Sequence, residues 1–484
     1  MPDVPLATIH GPLLVIGLGS IGRGLLPLLE RHLDFDHAAA VVIDPDDTHR
    51  AIAEKLGFAF LHEGLTPDNY RQILSRIFAG SRSGLCINVS VDTSSVDIMR
   101  CVRENGALYI DTVTEPWEGF YLDHSVGPAG RTNEVLRAQV LAERRRSPGG
   151  PTAVSCCGAN PGAVSWFVKE ALARLAAETG PNEAREVGGD PIPAPEDAGA
   201  WARLLRDLGV RGIHIAERDT QRSTARKPTG EFWNTWSVDG FIAEGLQPAE
   251  LGWGSHERWM PDHASRGRND ERTLAPGVFL ATPGAATQVR TWCPTYGTQL
   301  GYLITHNEAL SLADYFTVFD DEFFRPTVHY AYHPCDDALV SFDEVLGGTS
   351  IPSDRRRVLD AAEISEGFDE LGVLLYGQPG GAYWFGSHLT IDEARSLAPL
   401  QNATGLQVTS AILAAAVWAV ENPHAGIVEA EQMDHQRCLE IQRPYLGRLF
   451  GTRTDWTPIT GRSASSKEDL DLTDPWQFRN VLVH

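Results

Sequence analysis

Apolar residues in the first part of the chain come in short unbroken runs, each ended by glycine or a polar residue. Runs of this kind read as strands buried on both faces of a parallel sheet. Leu13–Ile16 predicts the first strand. Residues 38–43, ending at Asp44, predict the second, residues 85–90 the third and residues 107–111 the fourth. Residues 151–157 predict one more. Between these runs the apolar spacing turns helical, over residues 21–31, 66–79 and 94–103. Thr66 is the expected N-cap of the middle helix, with Pro67 at its first helical position. Strand and helix alternate, so the expected fold class is α/β with a Rossmann-type doubly wound parallel sheet.

The texture changes in the second half. A helix is expected over residues 163–178, then an exposed Pro-, Gly- and acid-rich loop over residues 179–200. Residues 209–400 mix short Trp-, Tyr-, Phe- and Thr-rich runs with Gly and Pro. That pattern predicts a second α+β domain with a mostly antiparallel sheet. An apolar helix over about 402–422, ended by Asn422-Pro423, is expected to return to the first domain. The resulting division is 1–157 for dinucleotide binding, 158–400 for substrate and dimerisation, and 423–484 as a C-terminal helical segment and tail. The acidic stretch after Ser463 is expected to fray.

Composition narrows the function. With 484 residues, 42% hydrophobic and 22% charged, the chain can bury a large core. Its net charge of −23 repels phosphate and argues against a nucleic-acid groove. The seven cysteines include no CxxC pair, which suits free thiols in a reducing compartment and no metal site. No basic leader precedes the first strand, and the longest apolar run, residues 411–420, is too short to span a bilayer. The expectation is a soluble cytoplasmic protein with no membrane partner.

Gly17-Leu18-Gly19-Ser20-Ile21-Gly22 is a GxGxxG sequence between a strand and a helix. Its glycines permit a tight turn and close approach of a pyrophosphate, and the helix N-terminus offers free N–H groups. Asp44 ends the next strand, where an acid bonds ribose hydroxyls and repels a 2′-phosphate. The expected cofactor is NAD. Gly17, Gly19, Ser20, Ile21, Gly22 and Asp44 would hold it, with Ser90, Asp111, Thr112, Asn160 and Pro161 at the other strand ends. Asp92 and Glu115 would point toward the cleft there. The second domain adds clusters of acids and aromatics: Glu217 with Asp219, Trp233 and Trp236 with Asp239 and Glu244, His306 with Glu308, and Glu366 with Asp369 and Glu370. From the residues alone, this reads as an NAD-dependent oxidoreductase with an acid-lined aromatic pocket.

Longer segments carry a resemblance. They are residues 111–117 (DTVTEPW), 158–167 (GANPGAVSWF), 216–221 (AERDTQ), 305–309 (THNEA) and 325–337 (RPTVHYAYHPCDD). Together they are similar to the bacterial homospermidine synthase family, itself related in fold to saccharopine dehydrogenase. The likeness runs from the glycine loop to about residue 450. It implies a homodimer that uses NAD as a bound redox catalyst to turn two putrescines into homospermidine and ammonia. It also implies roles. Glu217 and Glu244 would grip amines and handle protons, Asn160 would orient the reacting amine, and Trp236 would stack on an iminium. His306 would shuttle a proton, and Asp92, Glu115 and Asp369 would line the entrance and bind substrate. Carboxylates suit a dication. The alternative is a carboxynorspermidine or saccharopine dehydrogenase-like imine reductase, whose carboxylate-bearing substrate needs Arg or Lys; Arg218 and Arg222 are the candidates for that role.

Overall fold

The computed structural model describes residues 4–80, 83–120, 125–178, 185–186, 195, 197–266, 275–462 and 470–483. Seven parallel strands form the first sheet. From one edge they run Ile427–Glu429, Ala153–Ser155, Leu108–Asp111, Leu85–Asn88, Leu13–Ile16, Ala40–Asp44 and Ala59–His62. The chain builds outward from Leu13–Ile16 in one direction, then crosses back to build in the other. The reversal lies between Leu13–Ile16 and Leu85–Asn88, where such sheets open a ligand crevice at their carboxyl ends.

Side-chain alternation explains why both faces are apolar. Leu13, Val15, Ile87 and Ile110 join Leu25, Leu26 and Leu29 of the helix Ser20–His32 and the small residues of Ala403–Glu421. Leu14, Ile16, Cys86 and Tyr109 meet Ile73, Leu74, Ile98 and Met99 on the opposite face. Ala403–Glu421 is long and apolar enough to cross a membrane, but 83% of its apolar window is buried inside the protein. It packs on Ser20–His32. Gln401 donates to the Gly24 carbonyl at 2.8 Å, and a Cβ on Gly24 would lie 2.6 Å from its side-chain amide carbon.

The second sheet is mixed and mostly antiparallel. Its centre runs Pro248–Gly252, Thr327–His333, Gly212–Asp219, Phe368–Tyr376, Ala382–Thr390 and Arg448–Thr454. Gly212–Asp219 pairs parallel with Thr327–His333 and antiparallel with Phe368–Tyr376.

Three local expectations change. The helix expected from Thr66 runs Tyr70–Ile77, because the Thr66 N–H donates to Asn69 Oδ1 at 2.8 Å and holds residues 66–69 in a turn. The segment expected as a loop to residue 200 lies largely outside the described residues, but its end begins the helix Ala198–Asp207. There Asp197 Oδ1 accepts from Ala200 N at 2.7 Å, while Trp201 and Leu205 are buried. After residue 423, expected as a helical segment and tail, the chain forms the helices His435–Gln442 and Phe478–Val481 but also gives one strand to each sheet, Ile427–Glu429 and Arg448–Thr454. Both strands are short and bounded by turns, so their partners, not local periodicity, define them. Residues 463–469 lie outside the described residues; beyond them Phe478 and Val481 are fully buried beside Trp253 and Leu280.

Candidate functional site

The glycine loop meets its steric requirements. Gly17 has φ +97°, and a Cβ there would sit 2.9 Å from Ser90 N and Val89 O. A Cβ on Gly22 would lie 2.1 Å from the Gly17 carbonyl oxygen, so glycine is what lets the helix approach the strand. Gly19 has open space where a Cβ would go, and as N-cap it gives the helix no side-chain acceptor. The first N–H groups of Ser20–His32 therefore face an open surface with positive potential. The Asp44 carboxylate stands beside this loop, accepting from Leu18 N and, at 2.7 Å, from Asp46 N. Ser20 and Ile21 border a recess with Thr235 and Leu359 of the second domain and with Asn402, which caps the helix Ala403–Glu421. A bare helix N-terminus, a forced glycine turn and an adjacent acid fit a dinucleotide.

The other strand ends divide. Ser90 is half-buried against Gly17, and its N–H and hydroxyl donate to Asn88 Oδ1 at 3.2 and 2.6 Å. Thr112 lies beside Gly158, while Asn160 and Pro161 continue the loop toward the second domain. Asp111 turns inward. It accepts from Tyr109 Oη at 2.9 Å and Cys156 N at 2.6 Å, holding Cys156 at φ +58°. Burial pushes its carboxyl up to about 7, with those hydrogen bonds offsetting part of the rise.

Beyond them opens a cleft of about 390 Å³, between Glu115, Asn133 and Pro161 on one side and Glu244, Thr305 and His306 on the other. The helix Val238–Leu246 begins where Ser237 Oγ accepts from Gly240 N at 3.1 Å. Gly240, Ala243, Glu244 and Gln247 then fall at helical spacing and line the cleft together. His306 Nε2 lies 3.0 Å from Glu244 Oε2, and Nδ1 lies 3.2 Å from Glu308 Oε1. Burial alone would lower the imidazole; the two carboxylates override it and raise it well above its ordinary value. Both ring nitrogens of His306 thus face a carboxylate, an arrangement that favours the doubly donating imidazolium. Its ring lies 4.4 Å, centroid to centroid, from that of Tyr330.

Tyr330 Oη donates to Glu217 Oε2, which also accepts from Asn160 Nδ2 at 3.3 Å. Strand alternation assembles this layer. Glu217 and Asp219 share one face of Gly212–Asp219; Tyr332 stands opposite Glu217, and Asp369 opposite Asp219. The Tyr330 and Tyr332 rings stack at 5.2 Å, and Trp236 Nε1 donates to Tyr332 Oη at 3.1 Å. Trp236 borders the cleft through Gly240, since a Cβ on that glycine would lie 3.5 Å from the indole. Burial pushes Glu217 up to about 8, against the pull of the Tyr330 hydrogen bond. Burial likewise lifts Asp219 to about 6, against the donors Thr235 and Gln221. Glu115 reaches about 8, from burial and then from Asp92 and Glu244 beside it.

Of the expected residues, Glu115, Pro161, Glu244 and His306 line the cleft, while Glu217 with Asn160 lies behind His306 by way of Tyr330, and Trp236 lies behind Gly240. Asp92 is exposed near it, raised by partial burial and by Glu118 and Asp239. Asp369, expected at the entrance, is instead fully buried. The pairing of Phe368–Tyr376 with Gly212–Asp219 carries it beneath Glu217 and Asp219, where Thr404 Oγ1 donates to it. Burial and those two carboxylates hold it well above the usual range. Arg218 and Arg222 do not enter: Arg218 lies over the Tyr296 ring at 4.2 Å, and Arg222 pairs with Glu366. Sequence reasoning placed Asp219 and Glu308 in its acidic clusters without giving them a role, and it missed Tyr330 and Tyr332 as part of the layer. The available signal was their i, i+2 spacing from each other or from Glu217 and His306.

Comparison with known proteins supplies the family. Homospermidine synthase of Blastochloris viridis is 58% identical over 488 residues, the full length of both chains. That of Mesorhizobium japonicum is 54% identical, over 98% of this chain and 97% of its own. The chain belongs to the homospermidine synthase family. The homospermidine synthase of Legionella pneumophila, whose crystal structure is in complex with NAD, is 39% identical with a TM-score of 0.87, covering 99% of this chain and 98% of that one. In the wider grouping, residues 13–154 match the saccharopine dehydrogenase NADP binding domain and residues 158–453 the saccharopine dehydrogenase C-terminal domain.

Proposed function

We infer that this chain is a homospermidine synthase that joins two putrescines, releasing ammonia, with NAD held at the glycine loop. The observation that carries the reading is His306 clamped between Glu244 and Glu308 in an acid-lined cleft that opens off the dinucleotide-type sheet. Among the described residues, no Lys or Arg lines that cleft, which favours an amine substrate over the carboxylate-bearing one of an imine reductase. Asp44 favours NAD over NADP, because a 2′-phosphate would meet its carboxylate. NAD, when bound, supplies the hydride acceptor and then the hydride donor, so none is consumed overall.

The chain's own residues do the rest. Glu244 and Glu115 attract the ammonium ends of the diamine with charge-assisted hydrogen bonds. Glu217 takes the proton from the amine that must become neutral before its carbon is oxidised. Its own raised pKa suits that task, since an ordinary carboxylate is a weak base at neutral pH. Asn160, bonded to the same carboxylate, orients that nitrogen. Tyr330 fixes Glu217, and His306 returns a proton to the leaving ammonia. The indole of Trp236 faces the iminium, worth about 1–2 kcal/mol when desolvated. Asp92 steers the diamine at the rim. Ser90, Thr112 and Pro161 would border the cofactor, while Asp111 supports them from beneath. We place the enzyme in the cytoplasm as a homodimer, following the family resemblance and the seven buried free thiols.

The test is product analysis from putrescine with NAD far below stoichiometric amounts and no added reductant. Homospermidine and ammonia in equal amounts, with NAD recovered, are the expected outcome. Accumulating NADH, or no product without an amino acid and NADPH, would overturn the reading in favour of an imine reductase.

A further inference from the structure

One buried carboxylate outside the catalytic layer links both walls of the cleft. Glu250, in the strand Pro248–Gly252 of the second domain, is 1% exposed. Its Oε2 accepts from Asn133 N at 2.9 Å and from Thr305 Oγ1 at 3.1 Å, and its Oε1 accepts from Glu134 N at 3.2 Å. Asn133 and Glu134 open the helix Asn133–Arg146, which follows the first domain's strand Leu108–Asp111. The carboxylate therefore satisfies two of the unpaired N–H groups at that helix end, and its charge complements the helix dipole. Asn133 Nδ2 in turn donates to Thr305 Oγ1 at 2.9 Å. Glu250, Thr305 and Asn133 close a three-membered ring of hydrogen bonds across the two domains.

Thr305 is the residue before His306, and both line the cleft together with Asn133. We propose that Glu250 is a positioning residue for the synthase reaction, holding the Thr305-His306 backbone at a fixed offset from the cofactor-binding domain through this ring. The inference rests on the function proposed above. A carboxylate suits the task because it accepts from several donors at once, and burial leaves water unable to replace it. Misplacing a reacting group by about 1 Å can cost up to about a hundredfold in rate. The ring joins the group that handles protons on one domain to the domain that carries the hydride acceptor, so slack in it falls on the reacting distance.

The test uses the full chain with NAD and putrescine. Thr305→Val keeps the shape of the side chain and removes both of its hydrogen bonds. It should lower kcat about tenfold, with the KM for putrescine and the NAD affinity within about twofold of the wild type. Thr305→Ser keeps the hydroxyl and should recover most of the rate. Should Thr305→Val fail to fold, Asn133→Ala removes one bond of the ring and should lower kcat about threefold by the same argument. A wild-type kcat in the folded variant, even with a lower Tm, overturns the proposal and leaves Glu250 a helix cap only. So does equal impairment of Thr305→Val and Thr305→Ser. A wild-type enzyme that forms no homospermidine would instead overturn the proposed function.

Discussion

Around the rim of the cleft, Asp92, Glu118 and Asp239 are exposed, and Asp239 shares its charge with Arg356 at 2.5 Å. A few residues deeper, Glu217, Asp219 and Asp369 are each at most 3% exposed and share one sheet face. Rim carboxylates are open to solvent, and their charges act on one another through screening water. The inner three have lost water, with His306 lowering Glu217 and Arg218 lowering Asp219 by less than burial raises them. Burial therefore holds all three above the usual carboxylate range. One residue type thus does two jobs: outside it attracts a cation, inside it stores and passes a proton.

The largest separation between the two sets should come from Glu217→Gln. Removing the proton-handling carboxylate should lower kcat about a thousandfold, within the range for general acid–base groups. NAD titration of the same variant should be nearly unchanged. A loss under tenfold would remove Glu217 from proton transfer. Asp44→Ala tests an acid outside both sets. It should weaken NAD binding about tenfold or more and narrow the preference over NADP, both read by fluorescence titration.

Next is Trp236, which stands between the inner and outer acids. Trp236→Ala should lower kcat about tenfold with less effect on putrescine KM, because the iminium exists only after oxidation. Trp236→Phe should keep part of the rate. Trp236→Glu retains attraction for a cation without an aromatic face, so a rate near that of Trp236→Phe would assign the role to charge alone.

Stability should expose the inner set directly. Glu217 and Asp219 have folded-state pKa values of about 8 and 6, above the roughly 4 of an unfolded carboxylate. The folded state then binds protons that the unfolded state has lost. The stabilisation is complete below about pH 4 and disappears as pH rises through 6 and then 8. Tm without substrate should fall by a few degrees between pH 5.5 and 8.5. Saturating putrescine should restore part of it at the alkaline end, and Asp219→Asn should flatten the slope. A Tm that rises with pH across this window would contradict the buried-acid assignment.

The smallest effect belongs to the rim. Raising ionic strength from about 0.05 to 0.3 M should raise putrescine KM about twofold with little change in kcat. Asp92→Asn should weaken that dependence, whereas Asp219→Asn should leave it alone.

The first sheet was legible because buried parallel strands announce themselves as apolar runs. The glycine loop was legible because its chemistry is local to six residues. The inner acid layer was legible only as a set of residue types. Glu217, Tyr330 and Asp369 are more than a hundred residues apart for the first pair and meet only through strand register, which no local pattern encodes. Asp369 looked like a solvated acid because Glu366, Asp369 and Glu370 crowd the start of an apolar run. Pairing opposite Asp219 buries it. Tyr330 and Tyr332 went unassigned because aromatics at alternate strand positions read equally well as core. Thr66 lost its cap to a competing Asn69 side chain three residues on, a contest that residue preferences alone do not decide.

The strand Ile427–Glu429 completes the first sheet by pairing with Ala153–Ser155. Between these two strands lie every strand of the second sheet except Arg448–Thr454, and the helix Ala403–Glu421. On the ribosome, the dinucleotide-type sheet therefore emerges with one edge open. At about 5–20 residues per second, that edge waits roughly 15–55 s for its last strand. During that interval Ala153–Ser155 presents unpaired backbone groups, the kind of edge that recruits strands from other chains. A chain cut before residue 400 would lack both the strand and the helix, so the cofactor-binding half is not a separable module.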